Sequence, residues 1–232
     1  MARLFGTDGI RGIAGEELTA SLAKNVGIAL TRILSKSDNT RVIIGMDTRE
    51  SSGWLCNAIA EGVSAAGGES VIVGVCSTPA IAYLVKKHRF DAGVMISASH
   101  NPYQYNGIKI FGSDGFKLSD ALEDEIEANI GVGVENVYQG SITKLDNAID
   151  EYKDYLINSF SIPLNGIKIA VDCANGSASV TAEAVLTALG AKCKVIADKP
   201  NGTNINDKCG STHLEGLREL VKTSDFIKKS FL

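Results

Sequence analysis

The sequence predicts an α/β protein with a mixed, mainly parallel sheet covered by helices, followed by an incomplete second α/β domain of the same kind. Three observations predict it. Short aliphatic, β-branched runs alternate with longer segments of helical period. Gly67-Gly68, Pro79 and Gly190 mark boundaries between them. The alternation restarts near residue 148 and stops after two strand-like runs.

Leu22, Val26, Ala29, Leu30 and Ile33 share one face of a helix that Thr19 caps. Arg41-Val42-Ile43-Ile44-Gly45 then reads as a buried strand. Helical period runs from Trp54 to Ala66 and ends at Gly67-Gly68. Ser70-Val71-Ile72-Val73-Gly74 is the next strand, and Thr78-Pro79 opens the next helix through Ala80, Tyr83 and Leu84. Gly93-Val94-Met95-Ile96 is a third strand. A short one leaves it after a polar loop, with Lys109 facing away from Ile108 and Ile110. Parallel neighbours need crossovers, so this β-α-β-α-β order predicts helices on the sheet's faces.

Residues 119–130 read as an acidic helix with its carboxylates toward the positive end. Its charge run reads as a solvated face rather than a metal site. Residues 131–146 read as a connector. Gly131-Val132-Gly133-Val134-Glu135-Asn136 lacks the third glycine and the preceding strand of a dinucleotide loop. The first domain is therefore 1–147 and the second 148–232. The second offers a helix at 148–160, a strand at Ile167-Lys168-Ile169-Ala170-Val171-Asp172, and a turn from Cys173 into a helix closed by Gly190. A strand at 192–197 and a helix at 212–221 follow. Two parallel strands with one crossover leave open edges and little core, so this unit reads as cut off.

Apolar content of 44% and charged content of 22% suit a soluble globular chain of 232 residues. A net charge of -4 gives no general basic field for nucleic acid, so an anionic ligand must be held by a few local cations. No apolar run is long enough for a membrane span, and the N-terminus lacks a signal-peptide core. Five scattered cysteines with no CxxC pair suit a reducing, cytoplasmic setting.

The chemistry concentrates in Ser97-Ala98-Ser99-His100-Asn101-Pro102 and Tyr105-Asn106-Gly107-Ile108-Lys109. A hydroxyl, an imidazole, an amide and an ammonium at the mouth of a sheet suit a serine that carries a phosphoryl group. Such transfer depends on positioning and on neutralising the phosphoryl oxygens. Ser99 is the candidate carrier, although a lone loop serine more often bonds backbone. Asn101 and loop N–H groups suit phosphate oxygens. His100 fits either direct chemistry or phosphate positioning. Arg11, set between glycines in the shaped loop Thr7-Asp8-Gly9-Ile10-Arg11-Gly12, suits a bidentate clamp. Lys109 suits general acid/base work on a sugar hydroxyl. Arg49 and Lys117 read as surface charge.

Four segments together resemble the α-D-phosphohexomutase superfamily: Phe5-Gly6-Thr7-Asp8-Gly9-Ile10-Arg11-Gly12, Gly45-Met46-Asp47-Thr48-Arg49, Ser77-Thr78-Pro79-Ala80, and the two stretches around Ser99 and Lys109. The start at Met1-Ala2-Arg3-Leu4 and the later Gly210-Ser211-Thr212-His213-Leu214-Glu215 look most like its bacterial branch acting on glucosamine phosphates. The resemblance implies a catalytic set of Ser99, Lys109, His100 and Arg11, with Asn101, Thr7 and Asp8 around the substrate phosphate. It implies interconversion of glucosamine 6-phosphate and glucosamine 1-phosphate through a phosphoserine and a bisphosphorylated sugar. It also implies a phosphosugar ligand, Mg²⁺ held in part through the phosphate on Ser99, and a homodimer through the first domain. The family's Asp-Gly-Asp metal loop is expected soon after residues 212–221, but the chain departs from the pattern at about Thr223. The sugar-reading and phosphate-binding later domains are missing too. The expectation is therefore a truncated chain with little mutase activity alone. The alternatives are a phosphomannomutase/phosphoglucomutase of the same superfamily or a non-catalytic phosphosugar-binding fragment.

Overall fold

The computed structural model describes residues 3–35, 40–132 and 140–224. The tail at 225–232, most of the 131–136 segment and much of the predicted connector lie outside the described residues. Six strands form the first sheet: β1 (Ile10–Ile13), β2 (Arg41–Met46), β3 (Glu69–Val75), β4 (Ala92–Ile96), β5 (Tyr105–Gly112) and β6 (Ser141–Lys144). Their spatial order is β1-β5-β4-β2-β3-β6. Strands β4, β2, β3 and β6 run parallel; β5 pairs antiparallel with β4, and β1 pairs antiparallel with β5.

The pleat sends alternate residues to opposite faces. Val42 and Ile44 enter a core shared with α1 (Ala20–Leu34), α2 (Glu50–Ala65) and α4 (Asp120–Ala128). Ile43 enters the core on the other face, with α3 (Thr78–His88) and the start of α5 (Ala148–Ser159). The first unit is thus a three-layer sandwich. Helices α1 and α2 touch backbone to backbone. A Cβ added to Gly62 would meet the Lys24 carbonyl, and one added to Gly27 would meet the Ile59 carbonyl.

The second sheet has only β7 (Lys168–Asp172) and β8 (Lys192–Ile196), paired parallel. A 3-10 turn at Ser177–Val180, α6 (Ala182–Ala188) and α7 (Glu215–Thr223) surround it, and neither strand contains a buried residue. Helix α5 joins the two units: Tyr152 is buried on α3, Tyr155 stacks on Tyr83 with ring centroids 4.1 Å apart, and α6 lies against the same helix. Among the described residues no helix is long and apolar enough to cross a membrane.

The structure corrects several sequence expectations. Residues 10–13 form an edge strand rather than part of a loop, because β5 offers them an antiparallel partner. Residues 141–144, expected in a connector, form β6 beside β3; all four are exposed, so no alternation betrayed them. Helix α2 begins at Glu50 rather than Trp54. Ser51 and Ser52 of its polar first turn are buried, and their hydroxyls accept from Asn106 Nδ2 at 2.9 and 3.0 Å. The helix expected after Cys173 is split at Thr181, where φ is -131°.

The acidic helix is not a plain solvated face. Glu123 is fully buried and lies 2.8 Å from Lys117 Nζ, so Lys117 is a structural partner rather than surface charge. Glu127 accepts the Leu4 and Phe5 N–H groups at 2.9 and 3.2 Å, and Asp124 holds Arg3 Nε at 2.6 Å. The carboxylates clasp the N-terminal segment that leads into β1.

The α1–α2 contact yields a paired prediction. Gly62→Ala pushes the two helices apart and costs about 1–3 kcal/mol. Gly53→Ala, in the same helix with open space around it, is neutral or stabilises by up to about 1 kcal/mol. Urea denaturation should lower the midpoint for the first and not for the second.

Candidate functional site

Parallel strands β2 and β4 end side by side, with Met46 opposite Ile96 and the Asp47 N–H donating to the Ile96 carbonyl at 2.9 Å. Two loops therefore leave the same carboxyl edge together, 47–49 and 97–102. Ligands in open α/β sheets gather at such an edge. The chain then reverses into β5. Arg11 pairs with Gly107, so the two-residue period puts Arg11, Gly107 and Lys109 on one face. Gly107 is what lets the Arg11 side chain cross β5. A Cβ there would lie 2.7 Å from the Ser97 carbonyl oxygen and 3.1 Å from Arg11 Cδ.

These elements wall a cleft of about 650 Å³. Asp8, Arg11, Ser99, His100, Asn101 and Lys109 line one side of it. Cys173, Ala174, Ser177 and Asn206 of the second unit line the other. The structure thus brings together every singled-out residue except Thr7, which sits exposed at the tip of the tight turn closed by Gly6 and Gly9. Ser99 and His100 are exposed to the cleft. The loop N–H groups are partly committed inside the loop, since Ser99 N donates to Ser97 Oγ and Asn101 N to the Ala98 carbonyl.

The principal residue that sequence reasoning missed is Arg49. It is 2% exposed, so its reading as surface charge is corrected. Its Nε lies 3.0 Å from Asp47 Oδ2, a contact held by charge rather than by an aligned hydrogen bond. Its two terminal nitrogens donate to the carbonyls of Ser99, Asn101 and Pro102 at 2.9–3.1 Å. Burial lowers the guanidinium's pKa and Asp47 pulls it back up. Asp47 is fixed in turn by the Ser52 hydroxyl at 2.8 Å and the Arg49 N–H at 3.1 Å. The signal in the sequence was the spacing Asp47-x-Arg49 directly after a buried strand.

From the second unit, Asn206 Nδ2 donates to the same Ser99 and Asn101 carbonyls at 2.9 and 3.0 Å. Ser99 has φ 56°, a left-handed conformation that is uncommon for a residue with a Cβ. Its carbonyl is therefore bound from two sides while its hydroxyl faces the cleft loop.

Asp8 bridges the two cations opposite. Lys109 Nζ lies 3.2 Å from one of its oxygens and Arg11 Nη2 3.9 Å from the other. The Lys109 hydrogen bond and charge hold the Asp8 carboxyl below its ordinary pKa, with smaller help from Arg11 and His100. Arg11 Nε is buried without a hydrogen-bond partner, while the partly exposed guanidinium meets Asp8 at only 3.9 Å through Nη2, which leaves its terminal nitrogens capacity for an anion. Among the described residues no three His, Cys, Asp or Glu side chains gather as a metal site. The two carboxylates on the cleft wall are already taken by Lys109 and Arg49.

Two predictions follow from this geometry. Arg49→Met leaves Asp47 buried and unpaired, and should cost about 3–5 kcal/mol in a chemical melt. For Asp8, a carboxylate with a depressed folded pKa adds stability above its unfolded pKa and loses it as pH falls through the folded one. The Asp8–Lys109 contact should therefore persist at neutral pH and open only below the ordinary aspartate value of 3.8. Carboxyl ¹³C titration should place the Asp8 midpoint below that value, and Lys109→Met should move it back up.

Residues 2–135 match the family described as phosphoglucomutase/phosphomannomutase, alpha/beta/alpha domain I. The phosphoglucosamine mutase of Clostridium beijerinckii is 46% identical over 228 residues, covering 95% of this chain and 51% of that protein. The phosphoglucosamine mutase of Clostridium tetani is 45% identical over 235 residues, covering 97% and 52%. A solved phosphoglucomutase/phosphomannomutase family protein from Burkholderia thailandensis superposes with a TM-score of 0.84 at 25% identity, over 96% of this chain and 50% of that one. The chain spans about half the length of the curated relatives it matches.

Proposed function

We infer the function of this chain from one premise: it belongs to the phosphoglucomutase/phosphomannomutase family. Its curated relatives are phosphoglucosamine mutases. The function we propose is the phosphoserine half of that reaction, with residues 1–147 as the phosphoserine domain and 148–232 as part of the second. The observation that carries the reading is the convergence of Ser99, His100, Asn101, Arg11 and Lys109 on one cleft at the sheet's carboxyl edge.

In this reading Ser99 carries a phosphoryl ester. A sugar hydroxyl attacks phosphorus, its proton passes to a base, and the bond from phosphorus to Ser99 Oγ breaks, the Oγ leaving with the electron pair and taking up a proton to become a hydroxyl. The product is a bisphosphorylated sugar. The same step in reverse, at the sugar's other phosphate, returns a phosphoryl group to Ser99 and exchanges glucosamine 6-phosphate with glucosamine 1-phosphate. Arg11 supplies charge to the phosphoryl oxygens through the side-chain capacity that Asp8 leaves unused. His100 donates to the same oxygens, and Asn101 completes the polar surround, while Thr7 lies outside the cleft lining. Lys109 faces the cleft and is the group placed to take the sugar proton, which it does as the neutral amine, and to return it as the ammonium. Asp8 holds Lys109 until the anionic substrate competes for it.

The superfamily resemblance also implies Mg²⁺, with the phosphate on Ser99 as one ligand. The described residues do not fit the ion by themselves, because the cleft's two carboxylates are both engaged by cations. The contribution assigned to this chain is therefore the phosphoryl carrier and its fixed charges. The reading brings with it a phosphosugar substrate, a homodimer through the first domain, and a cytoplasmic setting that suits five free cysteines.

The test is transfer from a donor. Incubation of the chain with radiolabelled glucosamine 1,6-bisphosphate should place label on Ser99 by peptide mapping. Ser99→Ala should abolish it, and Lys109→Met should slow it by about 10²-fold or more. Label recovered on a different residue would overturn the assignment.

A further inference from the structure

The two units meet through α5, whose Ala148 and Tyr152 pack into the first unit's core, and through polar contacts around the cleft. Thr48 Oγ1 donates to the Asn175 carbonyl at 2.6 Å, and the Glu50 N–H donates to the Gly202 carbonyl at 2.9 Å. The third contact is Asn206, whose amide spans the Ser99 and Asn101 carbonyls. Polar contacts of this kind permit relative motion of domains. Asn206 itself is held in a left-handed conformation at φ 59°, as is Lys208 in the same loop, and its N–H donates to the carbonyl of Ala174, which with Asn175 shares that conformation in the turn after β7. The segment returns toward β7, where Asp172 accepts the N–H groups of Ala174 and Gly210 at 2.8 Å each. The loop carrying Asn206 is thus braced on its own sheet and points one amide at the other unit's serine loop.

We propose that Asn206 is a positioning residue that couples docking of the second unit to presentation of Ser99. Arg49 binds the Ser99 and Asn101 carbonyls from within the first unit, and Asn206 completes the clamp from outside it. With both in place the Ser99 carbonyl is fixed and its left-handed turn is held, so the hydroxyl keeps one direction. When the units part, Arg49 alone remains, and the loop gains freedom at the residue that must meet a phosphate. Asn206 touches no reacting atom; it acts through the Ser99 backbone. This inference rests on the phosphoserine reading for its consequence, and on the clamp geometry alone for its structural part.

Two variants separate these parts in the intact chain. Asn206→Gly keeps the positive φ and removes the amide. Asn206→Asp keeps the shape and turns a donor into an acceptor facing two carbonyls. Hydrogen exchange by mass spectrometry should show peptides covering residues 97–104 exchanging about tenfold faster in both variants, the size expected for losing two hydrogen bonds. Peptides from β2 and α1 should be unchanged. With glucosamine 1,6-bisphosphate as donor, the rate of Ser99 labelling at saturation should fall about tenfold, with the half-saturating concentration little altered. A purely structural loss would not produce that split. Wild-type exchange in both variants would overturn the clamp. Faster exchange with unchanged labelling would overturn the positioning role. A wild-type chain that takes no label on Ser99, but shows the expected exchange, would overturn the phosphoserine reading and the catalytic consequence while leaving the clamp standing.

Discussion

The site depends on one buried cation. Arg49 would be costly under a sheet edge if it were unpaired, because desolvating a guanidinium is repaid only by a close counter-charge and full hydrogen bonding. Both are supplied. Asp47 neutralises it, and the carbonyls of Ser99, Asn101 and Pro102 take its terminal nitrogens. The planar fork matters here, since its two terminal nitrogens make four donations while Nε faces Asp47, and a lysine's single nitrogen has three N–H groups in all. The arrangement also settles which part of the serine loop faces inward. Carbonyls point at Arg49, so the hydroxyl and imidazole are left for the cleft.

That cation is in turn supported by a polar layer beneath the cleft. Asp47 receives the Ser52 hydroxyl. Ser52 and Ser51 receive the Asn106 amide, and Asn106 Oδ1 accepts the Gly107 N–H at 2.8 Å. Asn106 and Ser52 are fully buried. Apart from Asp47 Oδ2, which meets Arg49 by charge alone, the network is satisfied, and it specifies one arrangement because a shift strands further buried donors or acceptors. It ties the start of α2, the end of β2 and the start of β5 into one rigid block. Arg11 and Lys109 project from the same block, so the cations and the serine loop share a reference frame.

How much of this was legible depends on what signal each residue left. The central strands were plain because β2 and β4 are buried on both faces, and such strands read as continuous apolar runs. The clustered Ser99, His100, Asn101 and Lys109 were plain because their residue types are unusual at the mouth of a sheet. β1 and β6 were not plain, since four-residue edge strands carry little pattern and exist through their neighbours. Arg49, Glu123 and the first turn of α2 misled for a shared reason. Charged and hydroxyl residues are usually outside, and only the tertiary partner shows when one is inside. Asn206 left no local signal at all, because its role lies in an amide that crosses 107 positions of sequence to reach Ser99.

The charge arrangement of the cleft explains why it can wait for an anion without collapsing. Asp47 is spent on Arg49. Asp8 is shared between Lys109 and Arg11, at 3.2 and 3.9 Å, leaving the five groups with one cation in excess. Asp8 is mostly exposed, so its hold on the two cations is screened and weak, while Arg49 is sealed from solvent. The two ion pairs at one sheet edge therefore do different jobs. The dry one fixes backbone and does not exchange partners. The wet one keeps two side chains extended toward the cleft and yields to a dianionic phosphate, which offers more charge and more acceptor oxygens than a single carboxylate. Burying the exposed pair would freeze the cations, and exposing the buried pair would loosen the loop, so the division between them is what lets a rigid serine face adaptable charge.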